Sequence, residues 1–254
     1  MEKLSTTIQN MQVEAGHIAL FFLGQAGIII KDSQGTLVAV DLYLTDCVGR
    51  FDGYKRLMPK ILDPEELVFD IIITTHAHYD HFDIDAMPAM MENGKSILFT
   101  ALDGKKECNK LHIAPKRTVF MQVGDTFEIK GVKIDAVFCD HGSETPYAVG
   151  LVLTFGEKTV YIAGDTALHL DKVQDIAERD IDIMFAPING AFGNLNEFEA
   201  ITLCKVIKPK LMVPCHYWCF AEHGGNPYIY MKNMQKYIPQ QKYKMMSIGE
   251  WMLY

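Results

Sequence analysis

The chain of 254 residues lacks several features that would assign it to a specialised class of protein. It has no uninterrupted apolar run of about 18 residues, which excludes an ordinary membrane-spanning helix. It also has no repeat, low-complexity tract or linker rich in Pro, Gly or Ser at which a domain boundary could be placed. Its six cysteines form no CxxC pair and are mostly far apart, so we expect free thiols. These absences predict one globular α/β or α+β domain over residues 1–254.

Positive charge is also scarce. The 24 Lys and Arg residues are outnumbered by 32 Asp and Glu residues, which gives a formal net charge of −8. A negative surface repels phosphate backbones, so the composition disfavours a nucleic-acid partner. The first residues include an acid and contain no apolar segment of the kind found in secretory signals. We therefore expect a soluble cytoplasmic protein with a small-molecule substrate and no membrane partner, and a homo-oligomer is compatible with this composition.

The pattern of short β-branched or aromatic runs, separated by Gly, Asp or Asn, predicts a chain dominated by strands. Helical periodicity is clearest at 83–91, 171–179, 196–207 and 227–237, and Asn196 with Glu199 resembles a capping box. Several hairpins followed by alternating strands and helices favour two facing sheets with helices outside. The predicted strands are 18–23, 27–31, 36–41, 69–74, 96–100, 118–123, 126–129, 132–138, 148–155, 158–163, 181–187, 210–214, 243–247 and 251–254.

Potential metal ligands are concentrated directly after the predicted strand 69–74. Three histidines and an aspartate lie within six residues, namely His76, His78, Asp80 and His81. Imidazole nitrogen and carboxylate oxygen together suit Zn²⁺ or Mn²⁺, and residues two apart in an extended loop point the same way. A solvated histidine-rich turn is the alternative, but it is not expected directly behind a buried apolar run. The loop therefore predicts a metal site.

Three further candidates follow the ends of later predicted strands. His141, Asp165 and His216 each stand just past a strand, where α/β sheets gather ligand-binding groups. Any one of them alone would more often be a packed or turn residue. All three, however, occupy the same position relative to a predicted strand. The single carboxylate among them could bridge two cations. His17, His112 and His169 lack this placement and are expected to be structural, whereas the sequence leaves the role of His223 open.

These motifs, in this order and spacing, resemble the metallo-β-lactamase superfamily. They are HxHxDH at 76–81, HGS at 141–143, GDT at 164–166 and PxH at 214–216. Within that superfamily the chain looks like bacterial predicted metal-dependent hydrolases. The stretches 24–27 and 81–83 are similar to the L-ascorbate-6-phosphate lactonase group.

The resemblance implies a four-layer αββα sandwich with the site along one edge. It assigns His76, His78 and His141 to a first metal. It assigns Asp80, His81 and His216 to a second, with Asp165 between them. Asp80 would also accept a proton from the nucleophilic water. The implied cofactor is one or two divalent ions, with Zn²⁺ or Mn²⁺ favoured and Fe also compatible with the ligands. Diiron oxygen reductases of this superfamily carry HxExDH, and here His78 stands where their glutamate would be.

Residues for substrate binding are less clearly indicated. The segment 43–63 is long for a connection and carries Arg50 and Arg56, so it could recognise an anionic group. An ordinary solvated loop explains those charges equally well. Tyr217 and His223, close after His216, are expected beside the metals.

We therefore expect a metal-dependent hydrolase that uses metal-activated hydroxide. The favoured substrate is a small ester or lactone, including phosphorylated ones. The alternative is a metal-dependent phosphodiesterase or nuclease of the same superfamily, since one fold hosts both reactions. Nuclease relatives carry an added domain or arm that grips the strand, and no segment of this chain is expected to supply one.

Overall fold

The computed structural model describes residues 2–254 as two compact units, each with its own mixed sheet. Among the described residues, unit 1 comprises 2–121 together with 247–254, and unit 2 comprises 122–246. Within the described residues no helix is long and apolar enough to cross a membrane. All six cysteines are free thiols, as expected. The prediction of a single domain over 1–254 stays a prediction.

Unit 1 contains a seven-stranded sheet in the order β13-β1-β2-β3-β4-β5-β6. Strands β13, β1, β2 and β3 pair antiparallel, whereas β3 to β6 run parallel. Both faces of β1 and β2 are buried, so their sequences are apolar nearly throughout. The elements are α1 Leu4–Asn10, β1 Ile18–Gly24, β2 Gly27–Asp32, β3 Leu37–Val40, α2 Cys47–Phe51, β4 Ile71–Thr74, α3 Ala86–Glu92, β5 Ile97–Ala101, α4 Lys105–Lys110, β6 Thr118–Met121 and β13 Trp251–Leu253.

Unit 2 contains a six-stranded sheet in the order β12-β11-β10-β9-β8-β7. Strands β10, β11 and β12 are parallel, and the remaining neighbours are antiparallel. Buried side chains of β10 to β12 pack against α6 and α7 in one hydrophobic core. The elements are β7 Thr126–Ile129, β8 Val132–Val137, β9 Gly150–Phe155, β10 Lys158–Ile162, α5 Gln174–Ala177, β11 Ile183–Pro187, α6 Glu197–Ile207, β12 Leu211–Cys215 and α7 Pro227–Tyr237. Single 3₁₀ turns lie at Leu102–Gly104, Pro115–Arg117 and Ala221–His223.

Most predicted elements are present, with two kinds of error. The predicted strand 243–247 is wrong, because only Tyr243 forms a bridge, to Met212 on β12. The predicted helix 171–179 is reduced to the four residues of α5. Three helices were missed, namely α1, α2 and α4. Helix α2 lies within the segment 43–63, which the sequence analysis treated as a long connection.

Candidate metal centre

In unit 1 the histidine-rich loop follows the carboxyl end of β4. Strands β1, β3 and β4 run in the same direction, because β1 and β3 are both antiparallel to β2 and β3 is parallel to β4. Their carboxyl ends therefore meet at one edge of the sheet. The loop after β4 lies there with Gln25, which follows β1, and Asp41, which follows β3.

Three imidazoles of the loop lie together. His76 Nε2 is 3.1 Å from His78 Nδ1, and the ring centroids of His76 and His81 are 4.1 Å apart. His81 Nε2 is 3.6 Å from Asp80 Oδ2. His76 and His81 are almost completely buried. Nitrogen and oxygen atoms that converge at such distances in a buried site are suited to holding a cation.

Asp41 fixes the orientation of His81. Its Oδ2 lies 2.9 Å from His81 Nδ1. Because a carboxylate only accepts hydrogen bonds, Nδ1 carries the hydrogen and Nε2 is the nitrogen that can bind a metal. Asp41 also accepts hydrogen bonds from the backbone N–H and the hydroxyl of Thr75, at 2.8 and 2.7 Å. The sequence analysis gave Asp41 no role, although its position after a strand was a usable signal.

Two carboxylates, Asp52 and Asp80, place negative charge at this part of the site. Burial and, after it, repulsion from Asp80 raise the pKa of Asp52, and His78 opposes this effect. Asp52 immediately follows α2. A bound cation would reduce this repulsion, so the electrostatics of unit 1 favour a cation near His78 and Asp80.

In unit 2 the candidate ligands also follow strands that share a direction. Strands β8, β10 and β12 run the same way, so their carboxyl ends lie at one edge of the sheet. His216 Nε2 lies 3.0 Å from Asp165 Oδ2, and His141 Nε2 lies 3.7 Å from the same oxygen. The structure therefore brings all three predicted residues of unit 2 around one carboxylate oxygen.

His223 also joins this cluster. Its ring stacks on that of His216, with centroids 4.9 Å apart and planes within 3° of parallel. A possible ligand atom of each histidine lies within 4.8 Å of the other. His223, predicted to bind substrate, is thus also a candidate ligand. Tyr217 is largely buried and packs in the hydrophobic core of unit 2.

The two arginines predicted to bind substrate are both paired with acids of unit 1. Arg50 lies 2.6 Å from Asp85. The Arg56 side chain is only 7% exposed, lies 3.1 Å from Asp46, and stacks over the ring of Tyr43 at 3.7 Å. These contacts hold the segment 43–56 in place, and Arg50 is the more accessible of the two.

The donor set in each unit fits a transition metal. Unit 1 offers imidazole nitrogens and the Asp80 carboxylate, and unit 2 offers imidazole nitrogens around the Asp165 carboxylate. This mixture suits Zn²⁺, Mn²⁺ and Fe, and it does not distinguish among them. Cys215 and Cys219, close to His216 in the sequence, are buried and form no disulfide.

Comparison with known proteins agrees with this chemistry. Residues 19–216 match the family model described as a beta-lactamase superfamily domain. The chain is 29% identical over 205 residues to a UPF0173 metal-dependent hydrolase of Thermus thermophilus, covering 78% of this chain and 83% of the relative. It is 30% identical over 184 residues to a UPF0173 metal-dependent hydrolase of Sulfolobus acidocaldarius, covering 71% of this chain and 79% of the relative.

Solved structures show the same fold. Igni18, a metallo hydrolase from Ignicoccus hospitalis, superposes with a TM-score of 0.77 at 21% identity, covering 94% of this chain and 98% of that one. An isothiocyanate hydrolase from Delia radicum gut bacteria superposes with a TM-score of 0.68 at 19% identity, covering 92% and 98%. The fold is thus the α/β metallo-β-lactamase type, as predicted. The chain belongs to the metallo-β-lactamase superfamily and, within it, to the metal-dependent hydrolases.

Proposed function

We propose that the chain hydrolyses a small ester or lactone, phosphorylated ones included, with one or two divalent ions. The proposed ligands are His76, His78, Asp80, His81, His141, Asp165 and His216. The observation that carries the proposal is that one buried oxygen of Asp165 lies 3.0 Å from His216 Nε2 and 3.7 Å from His141 Nε2. The family model spans all seven residues, which supports their use by one hydrolase domain.

The protein's own side chains would bind the metal and orient the substrate. A divalent cation, when bound, makes a water molecule acidic enough to act as a nucleophile near neutral pH. Asp41 holds His81 in the tautomer whose Nε2 can bind a metal. We assign Asp80 a second role, as acceptor of the proton that the nucleophilic water loses.

Recognition of the substrate is assigned to the exposed Arg50 and to the largely buried Arg56, Tyr217 and His223. Arg50 remains our candidate for an anionic group, because its side chain is 59% exposed. Arg56 is the weaker candidate for substrate binding, because its guanidinium already pairs with Asp46 and stacks over the ring of Tyr43. His223 and Tyr217 follow His216 and would border the substrate.

The test begins with protein purified without added metal. We expect up to two transition-metal ions per chain by elemental analysis. We also expect turnover in a panel of lactones, carboxylesters and phosphodiesters to be confined to the first two classes. Asp165→Ala should lose more metal than His141→Ala, because its oxygen faces two imidazoles. His17→Ala is the control, since this histidine is exposed and its ring lies 3.3 Å from the Ala15 carbonyl rather than beside a candidate ligand.

Two results would contradict the proposal. Equal metal content in the wild type and the Asp165→Ala variant would refute the ligand assignment. Turnover of phosphodiesters alone would refute the ester or lactone assignment and favour the phosphodiesterase alternative.

A further inference from the structure

We propose that Gln25 and Asn194 are positioning residues that hold the two proposed carboxylate ligands, Asp80 and Asp165, in their metal-binding orientation. This inference rests on the proposed function, because it takes both aspartates to be ligands. Neither amide belongs to the histidine and aspartate motifs.

The first amide lies in unit 1. Gln25 Nε2 donates a hydrogen bond of 2.7 Å to Asp80 Oδ2, and both residues are buried. The same Oδ2 lies 3.6 Å from His81 Nε2, the nitrogen that Asp41 leaves available for a metal. Gln25 thus binds the carboxylate oxygen that faces the neighbouring candidate ligand.

The second amide repeats this arrangement in unit 2. Asn194 Nδ2 donates a hydrogen bond of 2.7 Å to Asp165 Oδ2 in a buried setting. That oxygen is again the one closest to the candidate imidazoles, His216 and His141. Two unrelated loops, one after β1 and one after β11, therefore each place a side-chain amide against a carboxylate oxygen that faces a candidate imidazole ligand.

A neutral amide is chemically suited to this task. A carboxylate oxygen has two lone pairs, so it can accept an N–H and also bind a cation. The hydrogen bond restricts rotation of the carboxylate, so less conformational freedom is lost when the metal binds. A lysine or arginine would also bind the carboxylate, but its positive charge would repel the cation.

The backbone at Gln25 offers an independent observation. Gln25 has φ of 54°, in the left-handed region, and follows Gly24 with φ of 86°. Glycine would adopt this conformation with less strain than glutamine. A side chain retained at a strained position is consistent with a role for its amide.

This strain makes a discriminating variant available. Gln25→Gly removes the amide and its buried hydrogen bond but also relieves the backbone strain, so these effects offset each other and we expect little change in the stability of the metal-free fold. We expect it to lower the affinity for Zn²⁺, measured by competition with a chelator, about 10- to 100-fold. We also expect an altered visible absorption spectrum of the Co²⁺-substituted protein. Gln34→Gly, on an exposed turn of the same unit, is the control and should change neither the Zn²⁺ affinity nor the Co²⁺ spectrum.

Asn194→Leu tests the second amide in the same way, with Asn233→Leu on α7 as its control. The expected loss of Zn²⁺ affinity is again about 10- to 100-fold. Thermal unfolding of the metal-free proteins separates a folding defect from a metal-binding defect. A loss of affinity at unchanged metal-free stability supports the positioning role.

Asp80→Asn distinguishes this inference from the proposed function. If Asp80→Asn loses Zn²⁺ affinity while Gln25→Gly and Asn194→Leu keep wild-type affinity and Co²⁺ spectra, the positioning role is overturned and the ligand assignment stands. If Asp80→Asn also binds Zn²⁺ like the wild type, both the ligand assignment and the positioning role of Gln25 are overturned.

Discussion

Asp135 on β8 shows how a single buried carboxylate can tie several elements of unit 2 together. It accepts hydrogen bonds from the hydroxyl of Thr126 at 2.6 Å, from Lys133 at 2.9 Å and from Arg179 at 2.7 Å. Burial alone would raise the pKa of Asp135, but these three hydrogen bonds outweigh it and lower the pKa below its ordinary value of 3.8. The ionised form is therefore the one that stabilises the fold.

We predict that Asp135→Asn destabilises the protein by about 1–3 kcal/mol near neutral pH, because the amide donates where the carboxylate accepted. A lowered folded-state pKa means that the ionised carboxylate stabilises the fold fully above pH 3.8. This contribution is lost as the pH falls through the folded-state pKa. The difference between variant and wild type, measured by urea unfolding, should thus shrink when the pH is lowered from about 7 to about 3.

Asp171→Asn is the matched control, because the Asp171 side chain is 73% exposed and lies 3.9 Å from Lys172. It should unfold like the wild type across the same pH range. A constant difference for Asp135→Asn at both pH values would contradict the linkage and indicate a loss of packing instead.

The sequence identified the metal ligands more readily than the residues that support them. His76, His78 and His81 form a dense motif, and such a density of imidazoles is rare outside metal sites. Asn194 is a single amide in a turn, and Gln25 was noted only as part of the stretch 24–27, without a role of its own. Their roles depend on tertiary contacts, 55 residues apart for Gln25 and Asp80 and 29 apart for Asn194 and Asp165.

At the scale of elements, α6 has the capping box that its sequence predicts. The Asn196 side chain accepts hydrogen bonds from the backbone N–H groups of Phe198 and Glu199, at 2.9 and 3.0 Å. The Glu199 carboxylate accepts the N–H of Asn196 at 3.0 Å. These bonds satisfy donors that the first turn of the helix would otherwise leave without a helical partner.

We predict that Asn196→Ala lowers the free energy of unfolding by about 1 kcal/mol, because it removes this cap. Asn196→Asp is the control and should stay near the wild type, since aspartate caps comparably. Chemical denaturation of the three proteins measures both effects. Equal losses for alanine and aspartate would show that the amide nitrogen, rather than the cap, stabilises this position.

The missed helices show where the local sequence pattern is insufficient to predict a helix. Helix α1 is short and mostly polar, but Ile8 is buried and Lys31 donates hydrogen bonds to the carbonyls of Ile8 and Gln9, at 2.9 and 2.8 Å. Those bonds come from β2, so they are invisible in the sequence of α1. The strand predicted at 243–247 failed for the opposite reason, because its apolar pattern was present but only one bridge formed.

At the scale of the whole molecule, the net charge of −8 leads to a prediction about partners. We expect no tight binding to single-stranded RNA or duplex DNA at physiological salt, because long nucleic acids need several Lys or Arg contacts to displace counterions. Electrophoretic mobility shifts with metal-loaded protein would measure this binding. Efficient, salt-sensitive cleavage of an oligonucleotide would contradict the prediction.

The global predictions differ in how far they are supported. The superfamily and its fold followed from four short motifs, and the family model confirms them. The cytoplasmic location, the oligomeric state and the identity of the metal stay predictions, because several metals accept the same donors. Substrate choice was the hardest to predict, since it depends on loops such as 43–63 whose conformation is set by ion pairs such as Arg56–Asp46.

Strand β13 has a consequence for how the protein is synthesised. Unit 1 is discontinuous, since its residues 247–254 follow all of unit 2, and within them β13 pairs with Ala19, Leu20 and Phe21 of β1. During translation, β1 therefore emerges more than two hundred residues before its partner. Until residues 251–253 have left the ribosome, an apolar edge of the nascent sheet remains available for pairing with other chains. Rapid synthesis of the residues between β1 and β13, or a chaperone that covers this edge, would protect the protein from aggregation.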